Sequence, residues 1–268
     1  MNAVVFDVAL TAYMIAAAAA VGSLFGRRED LARFATLLTA AGWLCHTAAI
    51  VLRGIEMRRA PVLTLAEVVS VVIWVAVLLG LWIERRYGIT IFGAFFLPVI
   101  LALGLGLPTG LRDLAFEPQS QSGWALVHVA LIMVGLAALV LNFGSALMYV
   151  VQERQIKGKH TGTFYYGLPS LDTLDHLTLV TLTVGFPFLT VGLLLGLVQA
   201  GRSWANLLAG DPLALFSLLM WTVYAATLSG RAVGRWRGRR AAYFAIAGFC
   251  VLLATLGAGA LFHGRHGS

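Results

Sequence analysis

The chain has 268 residues, of which 60% are hydrophobic and only 12% charged, with a formal net charge of +7. Soluble domains carry about 25% charged residues, so this composition excludes an ordinary water-soluble globular domain. The apolar residues gather in blocks of about 20, the length that crosses a hydrocarbon core about 30 Å thick.

Eight such blocks follow one another, at about 4–25, 33–53, 65–84, 88–107, 123–151, 176–199, 212–230 and 241–263. The first opens MNAVVFDVAL with no basic region before it, and is expected to be a retained helix rather than a signal peptide. The second carries Cys45 and His46, and the third is entered through PVLTLAEVVSVVIW. The fourth contains Pro98 and the sixth Pro187; proline inside a helix frees a carbonyl that the bundle must satisfy. The fifth opens on SGWALVHVALIMVG, which places Trp124 one turn before His128. Before the sixth, SLDTLDHLTL reads as a helix start with Asp172 or Asp175 as cap. Before the seventh, SWANLLAGDP ends on Asp211-Pro212, a cap followed by proline at the first helical position. The eighth contains Cys250 and ends on His263. The intervening segments are short and hold no soluble domain. The expected fold is all-α: one polytopic membrane domain of eight transmembrane helices spanning residues 1–268.

Basic residues set the expected orientation. The segments after helices 1, 3, 5 and 7 hold Arg27, Arg28, Arg33, Arg85, Arg86, Arg154, Lys157, Lys159, Arg231, Arg235, Arg237, Arg239 and Arg240, which is 13 of the 19 Lys and Arg. The positive-inside rule then puts both termini outside. The net charge follows from this bias and calls for no nucleic acid partner. RAVGRWRGRRAA reads as a cytoplasmic anchor that meets anionic lipid.

Ionisable groups inside a membrane are rare and usually functional. Four of the six histidines, His46, His128, His176 and His263, lie in or at the ends of apolar blocks, whereas His160 and His266 fall in a loop and the tail. At 1.5 Å per residue, His46, His128 and His263 share one level near the outer face, and His176 opens helix 6 on the opposite side. Neutral imidazole is the common axial ligand of haem iron, and bundle cofactor sites are built from facing helices. Zinc is the rival, but no Cys or carboxylate on that side completes a tetrahedral set. On helix 5, Trp124, His128, Gly135, Asn142 and Tyr149 fall close to one face; the stripe suits the edge of a porphyrin slot or, equally, interhelical packing. His176, Thr183 and Thr190 share a face of helix 6. Cys45 and Cys250 read as small core residues, and there is no CxxCH or CxxC motif. No nucleophile–base pair, carboxylate pair or phosphate-binding loop appears.

The stretches HVALIMVGLAALVLNFGSALMYVVQER, LDTLDHLTLVTLTVGFPFLTVGLLLG and WTVYAATLSGRAVGRWRGRRAA resemble the cytochrome c assembly family of haem-handling membrane proteins, to which the CcsA and CcmC types belong. GFPFLTVG and GRWRGRRAA are the most specific, and the resemblance extends from about His46 to His263. It implies that His128 and His263 ligate haem at the outer face. The family's tryptophan-rich loop is reduced here to Trp204 and Asp211-Pro212, and Ser229 stands where the family has an intramembrane histidine. The short HemX/YpjD-type branch, which lacks that loop, is the nearer resemblance; it shares the histidine matched by His176 and is linked to haem biosynthesis or its regulation.

The expected function is therefore haem handling for cytochrome c biogenesis or for control of haem biosynthesis in the bacterial cytoplasmic membrane. The chain reads as a carrier or regulator rather than a haem lyase. His128 and His263 are the expected ligands of a non-covalent haem b, with Trp124 beside them. His46 is a partner or alternative ligand, and His176 the candidate for a second haem. Expected partners are haem, the bilayer and other cytochrome assembly, haem-biosynthesis or redox membrane proteins. The alternatives are a haem b electron-transfer subunit and a structural subunit that has lost haem.

Overall fold

The computed structural model describes residues 3–26, 28–105, 123–159, 167–200 and 212–263, of which the side chains at 3, 26, 199, 200, 212, 213 and 255–263 are not part of the description. Eight helices fill most of this: α1 (Ala3–Gly26), α2 (Glu29–Met57), α3 (Leu65–Tyr87), α4 (Gly93–Leu105), α5 (Gly123–Lys157), α6 (Leu171–Ala200), α7 (Pro212–Ala232) and α8 (Arg239–His263). Among the described residues there is no extended strand. Five helices, α1, α2, α3, α5 and α6, are long and apolar enough to cross a membrane, and α4 is a shorter apolar helix.

The helices match the apolar blocks in number and order but differ at their ends. α2 runs from Glu29 to Met57, beyond the apolar stretch 33–53 at both ends. A helix that enters the headgroup layer keeps its backbone groups paired, so the ladder outlasts the hydropathy. α4 begins at Gly93 rather than 88 because Gly88, at φ 67, closes α3 and residues 89–92 form the turn between them. α3 starts on a reciprocal cap: the Thr64 hydroxyl accepts from Glu67 N, and the Glu67 carboxylate accepts from Thr64 N. At the head of α6 the cap is not an aspartate. Ser170 Oγ accepts from Thr173 N at 3.2 Å, while Asp175 lies a turn further in and serves another purpose, described below. Asp211 lies outside the described residues.

Helix α5 joins two halves of the molecule. It packs on α3 and α4 of the first half and on α6 and α8 of the second; α1 packs on α2 and α4, and α7 on α8 and α6. In lipid, apolar side chains gain little by leaving their surroundings, so close contact between small residues drives helix association. A Cβ built on Gly135 of α5 would lie 2.9 Å from the Leu189 backbone nitrogen of α6, and one on Gly185 would lie 3.0 Å from Ala138. The α5–α6 seam is thus a glycine-lined contact in which each backbone reaches the other helix.

Candidate functional site

His128 sits on α5, five residues after Gly123 and half-buried against α6. Its Nδ1 is 2.6 Å from the carbonyl oxygen of Gly192. A carbonyl only accepts, so Nδ1 is the donor and carries a proton. The ring lies over Gly196: a Cβ there would come within 2.6 Å of Cε1, 3.0 Å of Nδ1 and 3.2 Å of Nε2. Nε2 has no hydrogen-bond partner among the described residues.

Helices α5 and α8 run antiparallel, with a register fixed by three contacts. Phe143 and Phe249 stack with centroids 4.0 Å apart at 16°. Towards the other end, Tyr149 OH closes on Gly238, and Arg239 Nε lies 3.7 Å from Glu153 Oε2. From the ring stack, His128 is 15 residues back along α5 and His263 is 14 residues forward along α8. At 1.5 Å per residue both are about 21–23 Å from the stack, in the same direction. The two backbones therefore reach the same height on helices that pack together. The His263 side chain lies outside the described residues, as do His160, His266 and Trp204.

The polar stripe of α5 divides into separate uses. Trp124 is exposed. Gly135 is filled by α6, and Asn142 Nδ2 donates to Thr178 O at 2.6 Å and to Thr181 Oγ1 at 3.1 Å. From Gly135 to Asn142 the stripe is interhelical packing, with no slot between the helices. Thr190 likewise serves a helix contact, its hydroxyl accepting from Trp221 Nε1 at 3.0 Å.

His46 lies in the other half of the molecule. It is fully buried between α1, α2 and α3. Nε2 is 2.8 Å from Ser70 Oγ and Nδ1 is 3.4 Å from Tyr13 OH, so both ring nitrogens have a hydroxyl partner. Phe6 and Tyr13 pack edge-on against the ring. The structure thus sets His46 in its own polar cluster, while His128 faces α6.

His176 is exposed on α6, where the Tyr87 ring of α3 meets it edge-on at 6.0 Å and Arg86 lies over that tyrosine at 5.6 Å. One residue earlier, Asp175 organises the turn between α7 and α8. Its Oδ1 accepts from Arg231 Nη1 at 3.0 Å and from Gly238 N at 2.9 Å, and its backbone oxygen accepts from Arg231 Nη2. Arg231 is therefore a buried ion-pair partner rather than part of a lipid-facing anchor; Arg235, Arg237 and Arg240 remain exposed. Cys45 is half-buried and Cys250 exposed, so Cys250 is not a core residue: its position on α8 faces away from the neighbours that bury Gly248 and Phe249.

Two buried carboxylates escape a reading centred on histidine. Glu67 receives Arg53 Nε at 3.1 Å, Arg59 at 3.0 and 3.3 Å, and the Leu63 and Thr64 amides. Glu84 accepts from Thr36 Oγ1 at 2.9 Å and Gly93 N at 2.8 Å, tying α3 to α2 and α4. A glutamate inside or bordering an apolar block was the available signal. No group of three or more His, Cys, Asp or Glu capable of holding a bare metal ion occurs among the described residues.

Residues 62–266 match the family described as Cytochrome C assembly protein. The chain belongs to that family. Relatives include the cytochrome c biogenesis protein CcsA of Guillardia theta, 29% identical over 245 residues, covering 83% of this chain and 81% of that protein. CcsA of Synechococcus sp. strain CC9902 is 32% identical over 242 residues, covering 81% and 80%. CcsA of Synechococcus sp. strain RCC307 is 29% identical over 266 residues, covering 89% and 86%. Together with the apolar helices, family membership makes this a multi-pass membrane protein. The family match begins at residue 62, so it takes in His128, His176 and His263 but not His46.

Proposed function

We propose that this protein handles haem for cytochrome c biogenesis or for control of haem supply, holding non-covalent haem b between His128 and His263. In this reading all eight helices cross the bacterial inner membrane and both termini lie outside, as the distribution of Lys and Arg implies. The observation that carries it is the equal height of the two histidines on the packed, antiparallel pair α5 and α8. The donor chemistry of His128 fits iron: a proton held on Nδ1 leaves the Nε2 lone pair for an axial bond. Haem is the cargo, and its iron would take both imidazoles. The relatives are named as cytochrome c biogenesis proteins, which favours assembly components as partners. The reduced tryptophan content between α6 and α7 favours a carrier or regulator over a lyase. His176, with Tyr87 against it, is the candidate for a second haem contact near the opposite face.

The test is the absorption spectrum of protein purified after expression with ample haem, oxidised and reduced. The wild type is expected to show a Soret band and sharp reduced bands of six-coordinate haem. The double substitution His128→Ala/His263→Ala is expected to lose them while keeping its elution volume in detergent. A colourless wild type would overturn the proposal and leave a structural subunit.

A further inference from the structure

We infer that α6 is the positioning element for His128, acting through two glycines. The Gly192 carbonyl holds the imidazole as its Nδ1–H tautomer, and Gly196 supplies a notch without a Cβ in which the ring must lie. This deepens the haem reading and rests on it for the role of Nε2, but the tautomer and the notch are properties of the haem-free protein.

A free neutral imidazole exchanges its proton between two nitrogens, and only the form with an unprotonated Nε2 presents that atom to a metal. Ligating histidines commonly donate the other N–H to a carbonyl or carboxylate, which sets ring orientation and basicity. In this chain the acceptor, 2.6 Å from Nδ1, is a backbone oxygen, so no side-chain substitution at position 192 removes it. What can be removed is the access. The Cε1 end of the ring occupies the place of a Gly196 side chain, where even a methyl group would stand 2.6 Å from Cε1. A ring that shifts to clear such a methyl group moves relative to the Gly192 carbonyl. The neighbouring contact differs: a Cβ on Gly192 meets chiefly the flexible end of Ile132, Cδ1 at 2.7 Å. Of the two glycines, Gly196 is the one whose missing side chain is specific to the histidine. His46 supplies the contrast within the same molecule. Its nitrogens meet two hydroxyls, each able to donate or accept, so nothing around it selects one tautomer.

The test uses the full chain in lipid nanodiscs, labelled with 15N in histidine and prepared without haem. His128 is assigned by loss of its signals in His128→Gln. The expected spectrum at neutral pH has an amine-like Nδ1 and an imine-like Nε2 for His128; an imine-like Nδ1, or averaged resonances, would overturn the inference. In Gly196→Ala the two signals should move towards averaged values, and haem should dissociate about tenfold faster or more. Gly144→Ala on α5, whose Cβ would make an ordinary 3.5 Å contact with Phe96 Cβ, is the control for a glycine-to-alanine change elsewhere in the bundle and should change neither. A Gly196→Ala protein with wild-type nitrogen signals and haem release would also overturn the inference. If Gly196→Ala does not fold, the tautomer of the wild type decides. A fixed Nδ1–H tautomer in a protein that takes up no haem would refute the haem reading while leaving the positioning by α6 intact.

Discussion

The two halves of the molecule hold their polar groups in different ways. In the first half, side chains mostly answer side chains: His46 lies between Tyr13 and Ser70, Glu67 under Arg53 and Arg59, Glu84 against Thr36, and Trp74 Nε1 on Thr47. In the second half, side chains reach the backbone of the neighbouring helix: His128 to Gly192 O, Asn142 to Thr178 O and Arg231 to Asp175 O. Glycines let α5 and α6 approach, which brings backbone carbonyls of α6 within reach of α5 side chains; the first half has a bond of this kind too, Trp43 Nε1 donating to Trp74 O at 3.1 Å. The lesson concerns the histidines. One is saturated on both nitrogens and ties helices together, whereas the other is engaged on one nitrogen and has no partner on the second among the described residues.

A graded set of substitutions separates the two halves, each read by thermal unfolding in detergent and, for colour, by the Soret absorbance per folded molecule. The largest loss is expected for Arg231→Ala. Its side chain is 5% exposed, and removing one partner of a buried ion pair leaves the other charge uncompensated, at a cost of about 3–5 kcal/mol. Such a change should lower the melting temperature strongly but leave the band positions of the surviving protein unmoved. His46→Ala comes next, at about 2–4 kcal/mol, since it opens a cavity and strands two buried hydroxyls. Folded His46→Ala protein should keep its haem content; a normal melt with the Soret band gone would make His46 a ligand and erase the distinction between the halves. Asn142→Ala, which removes an amide that caps a backbone carbonyl across the seam, should cost about 1–2 kcal/mol. The smallest effect belongs to Tyr13→Phe. Its bond to His46 is long, at 3.4 Å, so the expected loss is below about 1 kcal/mol, and a larger one would show that Tyr13 holds His46 more firmly than Ser70 does.

Much of this was legible in the order of residues. Hydropathy blocks predict the number and sequence of the helices because a hydrocarbon solvent leaves the backbone few choices, and the ends missed by the blocks, as at Glu29 and Met57, are those where the helix continues past the apolar run into charged residues. His128 stood out because imidazole is rare in an apolar run. Glu67 and Glu84 were less visible, since a carboxylate near a block's edge reads as a solvated end until its buried partners are known.

The order of residues therefore specifies the solvent, the helices, the family and the histidines that could bind a ligand. Which histidine has a ring nitrogen without a partner among the described residues follows from how the helices pack. His46 lies in the second half of its apolar stretch and His128 near the start of its own, and neither position says what the ring nitrogens face. The difference lies 24 residues away in Ser70 for one and 64 residues away in Gly192 for the other. A tautomer is fixed by the atom the ring faces, and that atom belongs to another helix.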